Sequence, residues 1–262
     1  MFQADTFIRM MEENNRQRYF VELSYDGSAY HGWQIQANAA SVQETLEKAF
    51  SVLLTENISL TGCGRTDAGV HASYFVAHFD LEHPKRIETD TLVYKVNAIL
   101  PEDIAVHTIR EVANDMHARF SASYREYVYR IMKNKPIFDR SFCYYFYGHL
   151  DRTKMNEACD ILMQYSDFTS FSKLHSDVKT NTCKVIKALW EEHEDGFEFT
   201  IRADRFLRNM VRSIVGTMMD IGTGKMTLEE FRSVIEAKDR GKAGTSAPAK
   251  ALFLVDVGYD EA

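Results

Sequence analysis

The chain has 262 residues, of which 45% are hydrophobic and 26% charged, and its formal net charge is -7. That composition excludes a fibrous or low-complexity chain and suits a soluble globular protein that can bury a sizeable core without staples. The acidic balance argues against a polyanionic partner unless Arg and Lys gather on one face, since binding depends on local charge.

Four cysteines, Cys63, Cys143, Cys159 and Cys183, are scattered with no C-x-x-C pair. Neither a zinc site nor a redox pair is expected, and free thiols suit a reducing cytoplasm. The first eighteen residues, MFQADTFIRMMEENNRQR, hold no apolar core of a signal peptide. No apolar run approaches the roughly 18 residues of a membrane span. The expectation is a soluble, cytoplasmic chain with no membrane segment and no metal.

Residues 1–17 read as a flexible extension. Arg18–Tyr25 has a strand pattern. Val42–Leu54 is an amphipathic helix with Val42, Leu46, Ala49, Phe50 and Leu53 on one face, Ser41 as N-cap and Glu44 completing a capping box. Strand-like runs follow at Ile58–Cys63 and Ser73–Asp80. A helix at Thr91–Leu100 stops at Pro101, and Ile104–Val112 closes the set. This β-α-β-β-α-β order is the ferredoxin-like split unit. The second half repeats it loosely: strands at Arg125–Lys133 and Phe142–Tyr147, a helix at Thr153–Tyr165, strands at Lys184–Glu192 and Phe197–Ala203, helices at Phe206–Ile221 and Leu228–Ala237, and a last strand at Leu252–Gly258. The expected fold is α+β, with two pseudo-duplicated ferredoxin-like halves, residues 18–120 and 121–262, forming a mixed, mainly antiparallel sheet flanked by helices.

Residues 62–72, GCGRTDAGVHA, carry the most chemistry. Three glycines, Gly62, Gly64 and Gly69, surround Arg65, Thr66 and Asp67. Glycines permit tight backbone and close approach of a ligand. A neighbouring arginine favours the charged form of a carboxylate, and a charged carboxylate in a tight loop can act as a nucleophile. The plain alternative is a glycine-rich turn whose Asp caps backbone amides. A dinucleotide fingerprint fails, because Asp67 stands where its third glycine would be. Asp67 and His71 as paired metal ligands would need a helix where a strand is expected.

The run GRTDAGVHA resembles the catalytic loop of the TruA family of tRNA pseudouridine synthases. Other runs resemble that family in the same order: Asp26-Gly27, YHGWQ at residues 30–34, NAILP at 97–101, HARFSA at 117–122, Tyr127-Val128-Tyr129, FTSF at 168–171, NMVRSIVG at 209–216, and residues 247–254. The resemblance spans nearly the whole chain after residue 17. It implies the pseudouridine synthase fold, two ferredoxin-like halves around a mixed sheet. It also implies isomerisation of uridine to pseudouridine in tRNA, at positions 38, 39 and 40 of the anticodon stem-loop, by a homodimer that needs no cofactor.

The resemblance further implies residue roles. Asp67 is the nucleophile acting on a flipped-out nucleotide. Tyr127 stacks on the uracil and offers a hydroxyl for the proton step, Arg212 pairs with Asp67, and Leu252 lines the uracil pocket. Arg65 reaches into the RNA, and His117 and Arg119 touch tRNA. From the residues alone, Tyr127 is equally a strand aromatic beside Tyr129, Arg119 a surface charge, and Leu252 a core residue. Helical spacing puts Arg205, Arg208 and Arg212 on one face, opposite Met210, Val211, Ile214, Val215 and Met218. Further basic candidates are Arg202, Lys238, Arg240, Lys242 and Lys250, with Lys173, His175 and Lys179 as loose contacts. One departure is Ala251, where the family usually has glycine. Two other readings stay open: a non-catalytic RNA-binding module, and a small-molecule enzyme using Asp67 with His71.

Overall fold

The structure is a computed structural model that describes residues 16–82, 87–173 and 180–260. Most of the expected N-terminal extension, with His175 and Lys179, lies outside the described residues. The elements run β1 (Gln17–Tyr25), a 3-10 turn at Gly27–Ala29, α1 (Val42–Leu54), β2 (Thr61–Gly62), β3 (His71–Leu81), α2 (Thr89–Ile99) and β4 (Ile104–Val112). They continue with β5 (Ala122–Met132), β6 (Tyr144–Tyr145), α3 (Arg152–Leu162), β7 (Val185–His193), β8 (Gly196–Ala203), α4 (Met210–Gly222), α5 (Leu228–Glu236) and β9 (Leu252–Tyr259).

The strands form one sheet in the order β4-β1-β3-β9-β5-β8-β7, with β2 on β3 and β6 on β5. Within the first half the order is β4-β1-β3-β2, and within the second β9-β5-β8-β7, so each half has the split β-α-β arrangement. β3 pairs with β1 along one edge. Its other edge is shared. Ala77 and His78 face β2, while His71 and Ala72 face Phe253 and Leu254 of β9 in the parallel pairing that joins the halves. The chain between β2 and β3 must therefore cross the join, and it carries Asp67 there. This is an α+β fold with a mixed, mainly antiparallel sheet.

Several expected elements are shorter than their apolar pattern suggests; the helix expected at Thr153–Tyr165, for one, ends at Leu162. Ile58–Cys63 keeps only Thr61–Gly62 as strand. Ile58 and Leu60 are buried, but their backbone is satisfied by α1: Ile58 N donates to Ser51 Oγ, Leu60 N to Glu47 Oε1, and Leu60 O accepts from Gln43 Nε2. Phe142–Tyr147 keeps only Tyr144–Tyr145, because Phe142 N closes a turn on Asp139 O. The helix expected from Phe206 begins at Met210, because Asn209 adopts a left-handed backbone (φ 65°). The capping box at α1 is half formed. Ser41 accepts from Glu44 N, but the Glu44 carboxylate turns to Lys48, 2.6 Å away.

Close packing explains two motif glycines. A Cβ on Gly32, whose φ is +92°, would sit 2.2 Å from Thr66 O. A Cβ on Gly216 would sit 1.8 Å from Thr245 O, so the bare helix face lets residues 244–247 lie against α4.

His78, on β3, is buried, and its Nδ1 accepts from Ala118 N at 3.1 Å. Burial, then the Arg18 charge, push its pKa down to about 3. The unfolded chain binds a proton there near pH 6.5. The folded chain refuses that proton until about pH 3. This group's contribution to stability is therefore complete above pH 6.5 and is lost as pH falls toward 3, by at most about 1.4 kcal/mol per pH unit. His78→Asn places an oxygen where Nδ1 accepts but cannot titrate. In denaturant melts between pH 7 and 4, the variant is expected to lose stability more gently than wild type; parallel curves would contradict this.

Candidate active site

The loop from Cys63 to Val70 is fixed at both ends and in its middle. At its start, Cys63 N donates to Val76 O (2.7 Å). Its carbonyl accepts from Arg125 Nε (3.2 Å) and Nη2 (2.9 Å). In the middle, Thr66 Oγ1 and the buried Tyr25 hydroxyl share a hydrogen bond of 2.9 Å. Gly69, at φ +75°, turns the chain, and its N–H reaches Tyr30 O (3.2 Å). Val70 N closes on Asp67 O (3.1 Å). The motif runs at residues 26–27 and 30–34 are thus the bed on which this loop lies.

The Asp67 carboxylate faces α4. Its Oδ2 is 3.5 Å from Arg212 Nη1, and its Oδ1 is 3.9 Å from Arg208 Nε. The Arg212 side chain is mostly covered, and its Nε donates to Ala247 O at 2.8 Å while Ala247 N donates back to Arg212 O. Residues 244–247, seated on Gly216, therefore aim the guanidinium at the loop. Arg208 is 60% exposed in its side chain, so its attraction is screened by water and salt.

Tyr127 sits on β5 where the pairing with β9 slips between Glu126 and Tyr127. The extra residue at this slip is Val255 on β9, while β5 keeps an unbroken register with β8, so Tyr127 holds its regular place on the strand. Its ring is buried and meets Phe206 edge-on, with centroids 5.1 Å apart. Among the described residues its hydroxyl makes no hydrogen bond. Burial first, then Cys63 and the negative Asp67, hold that phenol well above its ordinary range. A phenol so placed keeps its proton and can donate it in a hydrogen bond. Leu252 opens β9, buried, with its Cα opposite Tyr129, whose hydroxyl donates to Pro248 O (3.0 Å). Ala251 is buried and has ordinary backbone, so the departure from glycine there carries no strain.

His71 does not join Asp67. Its Nδ1 accepts from Gly27 N (3.0 Å) and its Nε2 faces Lys250 O (3.0 Å) and Ser141 O (3.2 Å). The ring, stacked on Phe253 at 4.7 Å, fastens β3 to the second half. The small-molecule reading built on Asp67 with His71 has no geometry to rest on.

Arg65 is exposed and makes no ion pair with Asp67 among the described residues. It belongs to a basic cluster: burial first, then the charges of Arg65, Arg125 and Arg205, lower the pKa of Arg119. Arg205 lies before α4 rather than on it, and joins this cluster instead of facing Asp67. His117 is half-buried beside His78, and burial with the nearby Arg18 lowers its pKa. Several other basic residues are spent elsewhere. Arg202 pairs with Glu126 (2.8 Å), Lys238 with Asp167 (2.8 Å), and Arg240 bonds Ser246 Oγ (2.9 Å).

The sequence reading missed Arg125. It is buried, and among the described residues its guanidinium donates only to carbonyls: Cys63, Ala122 (3.1 Å), Asp204 (2.9 Å) and Arg119. It ties the start of the Asp67 loop to the second half. Arg125→Met leaves those carbonyls unpaired, at about 3 kcal/mol or more. For a chain of this size that lowers the melting temperature by roughly 6–12 °C. A melting point within 2 °C of wild type would show that Arg125 is not a clamp.

The family profile described as tRNA pseudouridine synthase matches residues 23–121 and 164–260. The chain belongs to the tRNA pseudouridine synthase family. The tRNA pseudouridine synthase A of Bacteroides thetaiotaomicron is 56% identical over 248 residues, covering 94% of this chain and 91% of that protein. The protein of that name from Bacteroides fragilis is 54% identical over 246 residues (94% and 97%), and that from Bacillus subtilis 42% over 243 residues (91% and 97%). The family is one of enzymes, which sets aside the non-catalytic binding module. Asp67, Arg212 and Leu252 fall inside the matched stretches of this enzyme, and Tyr127 between them. Among the described residues, no helix is long and apolar enough to cross a membrane, and no three His, Cys, Asp or Glu side chains gather as a metal site.

Proposed function

We propose that this chain isomerises uridine to pseudouridine in the anticodon stem-loop of tRNA, at positions 38, 39 and 40, with Asp67 as the nucleophile. The observation that carries the reading is the Asp67 carboxylate held between Arg212 and Arg208 at the join of the two halves, with a tyrosine near it. The reaction breaks the N1–C1′ bond, turns the uracil and forms C5–C1′. N1 gains a proton and C5 loses one, so no cofactor or redox partner is needed.

In this reading, Arg212 orients the carboxylate. Tyr127 and Leu252 hold the detached base, the ring by stacking and the hydroxyl by donating to it. Arg65, Arg119 and His117 lie along the path of the RNA and contact its backbone, so the exposed cluster offsets the net negative charge. The sheet junction favours a division into halves at 18–120 and 121–262, with the first carrying the nucleophile loop and the second completing the cleft. The enzyme acts in the cytoplasm as a homodimer, in which two copies double the basic surface offered to one tRNA.

The test is to map pseudouridine in unmodified tRNA after incubation with the enzyme. Wild type is expected to convert uridines at 38–40 and nowhere else, and Asp67→Ala to convert none. Conversion outside the anticodon arm would overturn the assigned site, and conversion by Asp67→Ala would overturn the nucleophile.

A further inference from the structure

We propose that Phe120 is a stacking platform for an unpaired base of the tRNA next to the flipped uridine; the proposal rests on the reading of the site above. Residues 116–121 are pinned at almost every backbone group. Met116 O accepts from Arg18 Nη1 (2.8 Å), Ala118 N donates to His78, and Ala118 O accepts from Tyr259 OH (2.7 Å). Arg119 O accepts from the buried Arg125. His117 Nδ1 accepts from both Arg119 N (3.0 Å) and Phe120 N (3.2 Å), while Ser121 closes the turn onto His117.

A loop this fixed nevertheless points an aromatic ring outward. Phe120 is 78% exposed and adds little to the core. The His117 ring backs it (centroids 4.3 Å apart), and the Arg119 guanidinium lies 5.8 Å from its centroid. The loop is tethered through Arg125 to Cys63, where the Asp67 loop begins. The surrounding charge is basic: Arg65, Arg119 and Arg205 interact there. An exposed ring among arginines suits an RNA base better than an acidic peptide, because the cations take the phosphates and the ring takes the flat, apolar face of the base. The fixed backbone means that little order must be gained on binding.

The experiment compares Phe120→Leu and Phe120→Tyr with wild type, using full-length tRNA and a stem-loop carrying 2-aminopurine beside the target uridine. Phe120→Leu is expected to weaken tRNA binding roughly tenfold and raise KM about as much, with kcat and melting temperature little changed. Phe120→Tyr is expected to bind within about twofold of wild type. Stacking quenches 2-aminopurine, so the quench should persist in wild type and Phe120→Tyr and vanish in Phe120→Leu. The dependence of affinity on salt should keep its slope in Phe120→Leu, because no phosphate contact is lost, whereas Arg119→Ala should flatten it. Unchanged affinity and unchanged quenching in Phe120→Leu would overturn the stacking role while pseudouridine formation by wild type stands. Loss of pseudouridine formation at the anticodon arm by wild type itself would overturn the parent reading instead.

Discussion

Asp67→Asn is expected to bind tRNA as wild type does and to convert its uridines far more slowly, at a residual rate that only long single-turnover incubations reveal. The substitution keeps the volume and one of the two oxygens, so the loop held by Cys63, Thr66 and Gly69 has no cause to move. It removes the charge that Arg212 and Arg208 face. An amide is a poor nucleophile, and losing a nucleophile outright costs on the order of 10⁴-fold or more in rate. Binding should survive, because a carboxylate near a polyanion contributes nothing attractive to phosphate; affinity equal to or slightly above wild type is the expected result. Tritium release from C5-labelled tRNA gives the rate, and filter binding gives the affinity. Release within tenfold of wild type would remove Asp67 from the chemistry.

Arg212→Met is expected to lower kcat by roughly 10²–10³-fold, the scale of losing one fixed electrostatic partner in a partly dry site. Arg212 does two things at once. Nη1 faces Asp67 Oδ2, and Nε is spent on Ala247 O, which fixes the direction of the fork. Lysine restores a charge but cannot divide its donors in this planar way, so Arg212→Lys should recover only part of the rate. Arg208 remains nearby in either variant, but it is too exposed to substitute. Arg208→Ala should cost less than tenfold in kcat and act chiefly on affinity at higher salt. Because Ala247 O loses its partner, melting curves must accompany the rates; a rate loss that follows unfolding alone would count against an electrostatic role.

The elements whose periodicity and capping agree were legible in the sequence. Val42–Leu54 and Ile104–Val112 fall where their patterns place them. The misses have physical causes. Ile58 and Leu60 form an apolar run without a strand, because side chains of α1 serve their backbone groups. α4 starts late because a single left-handed residue, Asn209, interrupts a pattern that a helical wheel cannot see broken. In consequence Arg208 and Arg205, which the helical spacing put on one face, part company: Arg208 lies beside Asp67, while Arg205 joins the basic cluster around Arg119. The structure brings Asp67 and Arg212 together across 145 residues of chain, and that pairing came from resemblance, since no local pattern could reveal it.

Arg125 was legible in principle. It precedes Tyr127 and Tyr129 at strand spacing, so it shares their buried face. An arginine in that register had to find partners inside, and it found carbonyls.

The sharpest single measurement is a double-mutant cycle on the single-turnover release of tritium from C5-labelled tRNA, with Asp67→Asn, Arg212→Met and the double variant. If Arg212 acts by holding Asp67, the double variant should be no slower than Asp67→Asn alone. Losses that multiply in the double variant would mean that Arg212 works without Asp67, and the paired-site reading would fall.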